Sequence, residues 1–479
     1  MATSHTKEQQ KAFEALVRDN RLTGAQRNEG WRRFREQGYD AASAFVNDLL
    51  ASLPSPEEPI RLKTAPIPYR IWGREHIEAG ALGQMETAMR LPVAVAGALM
   101  PDAHLGYGLP IGGVLAVENA VIPYAVGVDI ACRMMMTIYP DDPSMLDDEQ
   151  SRDYGRLKRA LLERTIFGSG GDGLHDGIYE HPVLDASCWQ ATDLLRDLRK
   201  TAIRQIGTSG TGNHFVEWGR VRVTMPDNPL NVPPGEYLAL LSHSGSRGVG
   251  YKIADFYSRL AMAQMHRLDE TARHLAWLEM DSAGGQEYWE AMNLAGDFAS
   301  ANHHIIHEQV AKAAGLTPLA ALENHHNFAW KETVEVEGEG TRELIVHRKG
   351  ATPAGKGILG VIPGTMADPG YVVLGKGLPA SINSASHGGG RQMSRTQAKK
   401  TVTRDELRKY LKARGVSLLG GGLDEAPQAY KRIEDVIGAQ RDLVDIVGEF
   451  QPRLVRMADD SPPWKRKAAP ADIVDAEGD

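Results

Sequence analysis

Cysteine is all but missing from this chain. Cys132 and Cys188 are the two present in 479 residues, which rules out a disulfide scaffold and suits a reducing compartment. Long apolar runs are missing as well. No stretch reaches the length of a membrane span, and residues 1–10 are polar, without the apolar core of a secretion signal. These absences lead us to expect a cytoplasmic protein with no membrane partner. Nor is there an excess of positive charge. Lys and Arg number 54 against 62 Asp and Glu, a formal net charge of -8, so a polyanion would have to meet a local basic patch. We find no internal repeat, which excludes a solenoid or propeller.

Glycine is abundant instead, at 50 residues, and it gathers in particular loops, where it lets backbone approach a ligand closely. The length allows one large domain or two to three ordinary ones. In residues 6–53, Phe13, Leu16 and Val17, then Trp31 and Phe34, then Ala44, Phe45 and Leu49 fall at helical spacing, and Pro54, Pro56 and Pro59 end the segment. We therefore divide the chain into a helical N-terminal extension at 1–60, a single large mixed α/β domain at 61–458, and a charged, proline-containing tail at 459–479 expected to be disordered. Within the large domain, the runs 91–99, 114–117, 120–128, 237–241 and 343–346 predict strands. Residues 140–205, interrupted by a glycine loop at 168–173, and residues 251–314 predict mostly helix. Residues 403–414 predict a helix, and a last helix or strand reaches about residue 455.

The stretch A-V-G-V-D-I-A-C at 125–132 sets a carboxylate, Asp129, close to a thiol, Cys132. Taken alone the pair is ordinary: a buried thiol is usually a small apolar side chain, and such an Asp is often a turn or cap. The histidines change that reading. His104, His214, His243, His326 and His387 each follow an apolar run in a loop rich in Gly, Asn or Ser, a strand-end placement from which side chains converge on a cleft. Asp129, Cys132, His214, His243 and His326 form a mixed oxygen, sulfur and nitrogen set suited to a borderline transition metal. Two ions sharing the thiolate could clamp the oxygens of a phosphoryl transfer. His303, His304 and His307 lack the H-E-x-x-H spacing and are expected to be a polar helix face. Arg247, Arg348, Lys349, Arg391 and Arg395 offer cations for phosphate, Ser and Gly backbones offer anion nests, and Asn213 and Asn327 sit beside proposed metal histidines. His387, in S-H-G-G-G-R, can attack phosphorus as a nucleophile; a further metal ligand or an acid/base remain open alternatives.

From about residue 66 to about 455 the chain resembles the RtcB-type RNA-splicing ligases, which join RNA 3'-phosphate and 5'-hydroxyl ends. The segments carrying the resemblance, in order, are M-P-D-A-H-L-G-Y-G, V-G-V-D-I-A-C, G-N-H-F-V-E, S-H-S-G-S-R-G, N-H-H-N, H-R-K-G-A-T, I-P-G-T-M, S-H-G-G-G-R-Q-M-S-R and A-Y-K. The resemblance implies that Asp129, Cys132, His214, His243 and His326 hold Mn2+, as two ions, and that His387 is guanylylated through nitrogen. It implies that Asn213, Asn327, Arg247 and the loop with Gly389, Gly390 and Arg391 surround the nucleotide phosphates; we place Lys349 with them. Phe215, Glu217 and Tyr430 match the guanine pocket. The implied activity is metal- and GTP-dependent joining of a 3'-phosphate or 2',3'-cyclic phosphate RNA end to a 5'-hydroxyl end through a covalent histidine-GMP. The partners would be RNA (tRNA halves or cleaved RNA) and an archease-type activator, and the fold one large α/β assembly. Two guanine contacts of the family are unmatched. Gly370, after Pro369, stands where members carry serine, and residues 459–467 read D-D-S-P-P-W-K-R-K where members end in Lys-Gly. GTP preference is therefore expected to persist but weaken. The rival readings are a metal-dependent phosphoesterase that has lost sealing and a non-catalytic RNA- or ribosome-associated factor that docks through its N-terminal helices.

Overall fold

In the computed structural model of the protein, residues 6–18, 22, 24–52, 58–168 and 173–458 are described. The chain divides into two compact units, Met1–Ile60 and Arg61–Asp479. The expected tail at 459–479 lies outside the described residues, as do 169–172 of the glycine loop.

The first unit is built from the helices Lys7–Val17, Gly24–Gln37 and Tyr39–Ser52. Thr6 opens the first with a reciprocal cap: its hydroxyl accepts from Gln9 N, and the Gln9 side chain accepts from Thr6 N. Phe13, Val17, Leu22, Phe34, Ala42 and Val46 form the core. The Phe13 ring stacks on Phe34 at 4.7 Å and meets Trp31 edge-on at 5.0 Å.

The second unit carries two main sheets. In one the strand order is Arg70–Ile71, Ala94–His104, Ile111–Val117, Gly340–Lys349, Asn327–Val336. In the other it is Leu359–Ile362, Gly370–Gly375, Val444–Met457, Phe215–Val223, Gly235–Ser244, Arg133–Tyr139, Ala320–His325, with Ser417–Leu419 added in parallel to Val444–Met457. Neighbours along that second path are antiparallel. Both faces of the larger sheet are buried, which is why 237–241 reads as one apolar run rather than an alternating one. Leu238 and Leu240 pack on one face with Trp218, Leu157 and Ile306. Ala239 and Leu241 pack on the other with Met136, Val361, Val372 and Phe450. Asn324, on the last strand, accepts from Val361 N at 2.8 Å and donates to Val361 O at 3.4 Å on the first. The sheet therefore curls nearly closed around that second core.

The helix Ala283–Ala314, 32 residues capped by Ser282 and ended by left-handed Gly315, backs the larger sheet. Here the expected polar face is corrected. His303 and His307 are buried against the sheet, where Ser242 Oγ meets His303 Nδ1 at 2.6 Å and His307 Nε2 at 2.8 Å, while His304 is exposed. A hydroxyl offered by the strand lets imidazoles sit where an apolar side chain would otherwise be required. The 120–128 run is also not one strand. Ala120–Val121 pairs briefly with Leu278–Glu279, and Pro123 then opens the short helix Pro123–Val126, as its fixed φ favours. The last element is a strand, Val444–Met457, and the 403–414 helix is Arg404–Ala413, capped by Thr403 and Glu406.

Candidate active site

Four strand ends meet along one edge of the larger sheet, and each delivers a ligand-type side chain. Cys132 immediately precedes Arg133–Tyr139, His214 immediately precedes Phe215–Val223, His243 lies one residue from the end of Gly235–Ser244, and His326 follows Ala320–His325. Register aligns them: Phe215 faces His243, Met134 faces His243, and Arg133 faces both Ser244 and His325. His326 occupies the single residue at which the chain passes from the larger sheet to the smaller, since Asn327 already begins the next strand. Asp129 reaches the same place from the loop after Pro123–Val126. Its Oδ1 accepts from Ser246 N at 3.0 Å. Gly245 must be glycine here, because a Cβ would overlap the Asp129 carboxylate.

The donor atoms fall into two groups sharing Cys132: Asp129, Cys132 and His214, and Cys132, His243 and His326, the atoms of each within 4.8 Å of one another. Cys132 Sγ lies 3.1 Å from His243 Nε2 and 3.5 Å from His214 Nε2. His214 Nε2 is 3.1 Å from Asp129 Oδ2, and His243 Nε2 is 3.4 Å from His326 Nε2. The other ring nitrogens fix the tautomers. His214 Nδ1–H donates to Ser209 O at 2.8 Å and His243 Nδ1–H to Asn213 O at 3.3 Å, so both Nε2 atoms turn lone pairs toward the thiol and carboxylate. Lone pairs facing lone pairs repel unless a proton or a metal cation lies among them. The donor set thus fits a metal, and its mixed O, N and S character fits a borderline transition ion. Burial, with His214 and His387 nearby, pushes the His243 pKa down to about 3, and burial also drives His326 well below its usual value.

His387 sits just past the strand Ser384–Ser386, its ring 4.8 Å from that of His326. Buried Asp102 holds it. Asp102 Oδ2 accepts from His387 Nδ1 at 2.8 Å, from His387 N at 3.0 Å and from Gly388 N at 3.2 Å. With the proton held on Nδ1, the lone pair of a neutral His387 ring is on Nε2. Lys431 Nζ donates to Pro101 O at 3.1 Å and Ala103 O at 2.7 Å, clamping the strand end that carries Asp102, and Lys431 N donates to Gly390 O at 2.9 Å.

With this arrangement described, comparison with known proteins is decisive. The family model described as tRNA-splicing ligase RtcB matches residues 84–458. The chain belongs to the RtcB family. It is 32% identical to "RNA-splicing ligase RtcB" of Escherichia coli K12 over 416 residues, covering 81% of this chain and 96% of the relative. It is 31% identical to "tRNA-splicing ligase RtcB" of Nanoarchaeum equitans, with 81% and 94% covered, and 32% identical to "RNA-splicing ligase RtcB" of Mycobacterium bovis, with 71% and 91% covered.

In this RtcB chain one pocket gathers many of the singled-out residues. Asn213, Phe215, Glu217, His243, His326, His387, Gly389, Gly390, Arg391 and Tyr430 all line it, with Gly370 and Asp368. Glu217 is buried with Oε2 lacking a partner among the described residues, and burial raises its pKa well above the carboxylate norm. An orphaned carboxyl in a pocket wall awaits a donor from a ligand. Tyr430 donates to Glu425 and accepts from Arg391 Nη1 at 3.0 Å.

The remaining residues singled out from the sequence have partners within the chain. Arg391 lines the pocket, but its guanidinium is committed to Glu425 at 3.2 Å, Asp424 O at 2.6 Å and Met393 O at 3.1 Å. Its charge is thus already compensated by a buried carboxylate. Arg348 is buried in a two-pronged pair with Glu332 and donates to Ser384 Oγ at 2.8 Å, so it braces the smaller sheet instead of offering a cation. Arg395 likewise pairs with Glu425 at 3.1 Å and Asp424 at 3.6 Å. Asn327 is fully buried, accepting from Gly350 N at 2.8 Å and donating to Asp129 O at 3.4 Å; it ties the metal loop to the smaller sheet. Arg247 reaches Gly168 O at 3.2 Å, in space that Gly210 leaves by lacking a Cβ. Lys349 lies in an adjoining cleft and donates to Tyr107 O at 2.7 Å. Sequence reasoning assigned no role to Asp102, His104, Glu425 or Lys431. Asp102, His104 and Lys431 did stand inside the resemblance segments, and His104 among the strand-end histidines; that was the available signal.

Proposed function

We propose that this chain is a metal- and GTP-dependent RNA ligase that joins a 3'-phosphate or 2',3'-cyclic phosphate end to a 5'-hydroxyl end through a histidine–GMP intermediate. The observation that carries the reading is the Asp102–His387 pair beside the two donor groups that share Cys132. Asp102 keeps the proton on Nδ1, so His387 Nε2 can attack the α-phosphorus of GTP. The P–N bond forms as the bond to pyrophosphate breaks. Asp129, Cys132, His214, His243 and His326 would hold Mn2+, two ions in this reading, which supplies Lewis-acid neutralisation of phosphate charge. Asn213 and the backbone N–H groups of Gly389 and Gly390 would orient the phosphates. The buried Glu217 carboxyl would accept from guanine N1 and N2, with Phe215 and Tyr430 beside the base. Water first opens a cyclic phosphate to a 3'-phosphate, that phosphate takes GMP from His387, and the 5'-hydroxyl displaces GMP. Gly370 offers no side chain to guanine, so GTP preference rests more heavily on Glu217.

The test is incubation of the full chain with Mn2+ and each labelled nucleoside triphosphate. An acid-labile, base-stable adduct should form, most with GTP. Equal yields from ATP and GTP would show that the Glu217 pocket does not read guanine. No adduct with any nucleotide, alongside hydrolysis of RNA phosphate ends, would favour the phosphoesterase.

A further inference from the structure

The pocket around His387 shares His104 and Arg391 with a second, adjoining cleft. One wall carries Leu105, Tyr107, Val128 and Lys349; the other carries Gln392, Ser394, Arg395 and Gln397. Tyr107 belongs to an aromatic cluster drawn from three separate segments: the loop between Ala94–His104 and Ile111–Val117, the short helix Pro123–Val126 and the turn Glu270–Leu275. Ring centroids lie 6.3 Å apart for Tyr107 and Tyr124, 5.9 Å for Tyr107 and His274, and 5.2 Å for Tyr124 and His274, which meets both tyrosines edge-on. The tyrosines are half-buried, His274 is exposed, and Leu105 beside them is 50% exposed. Tyr107 lines the cleft and the other two rings pack against it, so part of an aromatic cluster is left open to a ligand.

We propose that Tyr107, Tyr124 and His274 form a base-stacking platform for the last unpaired nucleotides of the RNA strand whose 3'-phosphate enters the His387 pocket; this rests on the ligase reading above. The chemistry of the cleft favours a single strand of nucleic acid over a folded protein partner. Every base presents a π-face to an aromatic ring, whatever its identity. Gln392, Gln397 and Ser394 offer hydrogen bonds to sugar and base edges. Lys349 lines the same cleft, its Nζ donating to Tyr107 O at 2.7 Å, and places positive charge beside the platform. The acid lining the cleft, Glu78, is turned to the backbone, accepting from Leu105 N at 3.0 Å. Such a platform also suits a chain of net charge -8, because stacking needs no broadly basic surface. Sequence tolerance follows, as stacking discriminates weakly between bases.

The experiment uses the full-length, metal-loaded protein and a short fluorescein-labelled oligoribonucleotide ending in a 3'-phosphate, with binding followed by anisotropy. Tyr107→Leu and Tyr124→Leu should each weaken binding by about tenfold, and Tyr107→Trp should restore it. In the unsubstituted protein, 5-iodouridine in the terminal positions should cross-link to Tyr107, Tyr124 or His274 on irradiation. This arm stands even if a leucine variant fails to fold. Full-strength binding by the double leucine variant, or cross-links that map elsewhere, would overturn the platform and leave the cluster to packing or to a protein partner. Neither arm requires nucleotide transfer. A chain that forms no histidine–GMP yet cross-links at these rings would sink the ligase reading alone, and one that seals RNA but binds it equally well without the rings would sink the platform alone.

Discussion

Cys132 is the residue that the two donor groups share. Serine at this position keeps the size but offers a poor anionic ligand. Cys132→Ser should therefore lose most bound metal, read by elemental analysis after gel filtration, and full occupancy would dismiss a shared thiolate. Asp102 acts one step further back, as a positioning residue. Asp102→Asn keeps an oxygen but no longer fixes the His387 Nδ1 proton. It should leave metal content and GTP affinity near the wild-type values while slowing single-turnover adduct formation by at least about 100-fold. An unchanged rate would make the pair incidental. His347 reports on pH in the same unit. Its Nε2 accepts from Ile122 N at 2.9 Å and its Nδ1 donates to Leu115 O at 3.3 Å, and burial pushes its pKa down to about 4. Between pH 6.5 and 4 the unfolded chain binds a proton that the folded chain refuses. Stability contributed by the neutral ring is present above pH 6.5 and is lost as pH falls toward 4, by about 1.4 kcal/mol per unit. Urea midpoints measured at pH 6.5 and 4.5 should fall, and fall less steeply in His347→Asn; parallel slopes would refute this assignment.

Among the elements, the helix Ala283–Ala314 does more than cover the sheet. Asn302, fully buried, accepts from Gly207 N at 2.8 Å and donates to Gly245 O at 2.9 Å. Those loops run on to Ser209, which holds His214, and to Ser244, which follows His243. Asn302→Ala should cost about 1–3 kcal/mol of stability from two backbone groups left unpaired and weaken metal binding, measured by competition with a chromophoric chelator; unaltered metal affinity would confine Asn302 to folding. The sequence showed the strand ends plainly, because the site's Gly, Asn and Ser loops interrupt apolar runs and place His214, His243 and His326 beside them. It could not show which cations were free. Arg348 and Arg391 look like phosphate ligands until Glu332 and Glu425 appear beside them, from 16 and 34 residues away in the chain. The same distance hid Asp102, whose partner His387 lies 285 residues on. His303 and His307 depart from a polar helix face because a strand hydroxyl, Ser242 Oγ, supplies their buried partner; His304 is exposed as expected.

At the scale of the molecule, the family match begins at residue 84 and so leaves the three-helix unit outside it, while the reacting groups all lie in the second unit, where two sheets exchange strands at His326. In the proposed function His387 is the nucleophile and Asp129, Cys132, His214, His243 and His326 hold metal. The measurement that tests this most directly compares His387→Ala with the unsubstituted chain for metal content, for adduct formation with labelled GTP, and for sealing of RNA whose 3'-end already carries GMP through a pyrophosphate. We predict unchanged metal, no adduct, and retained sealing of the pre-activated RNA, because that substrate bypasses the step His387 performs. Loss of metal would make His387 a ligand, and an adduct surviving in His387→Ala would place the nucleophile elsewhere and contradict the account.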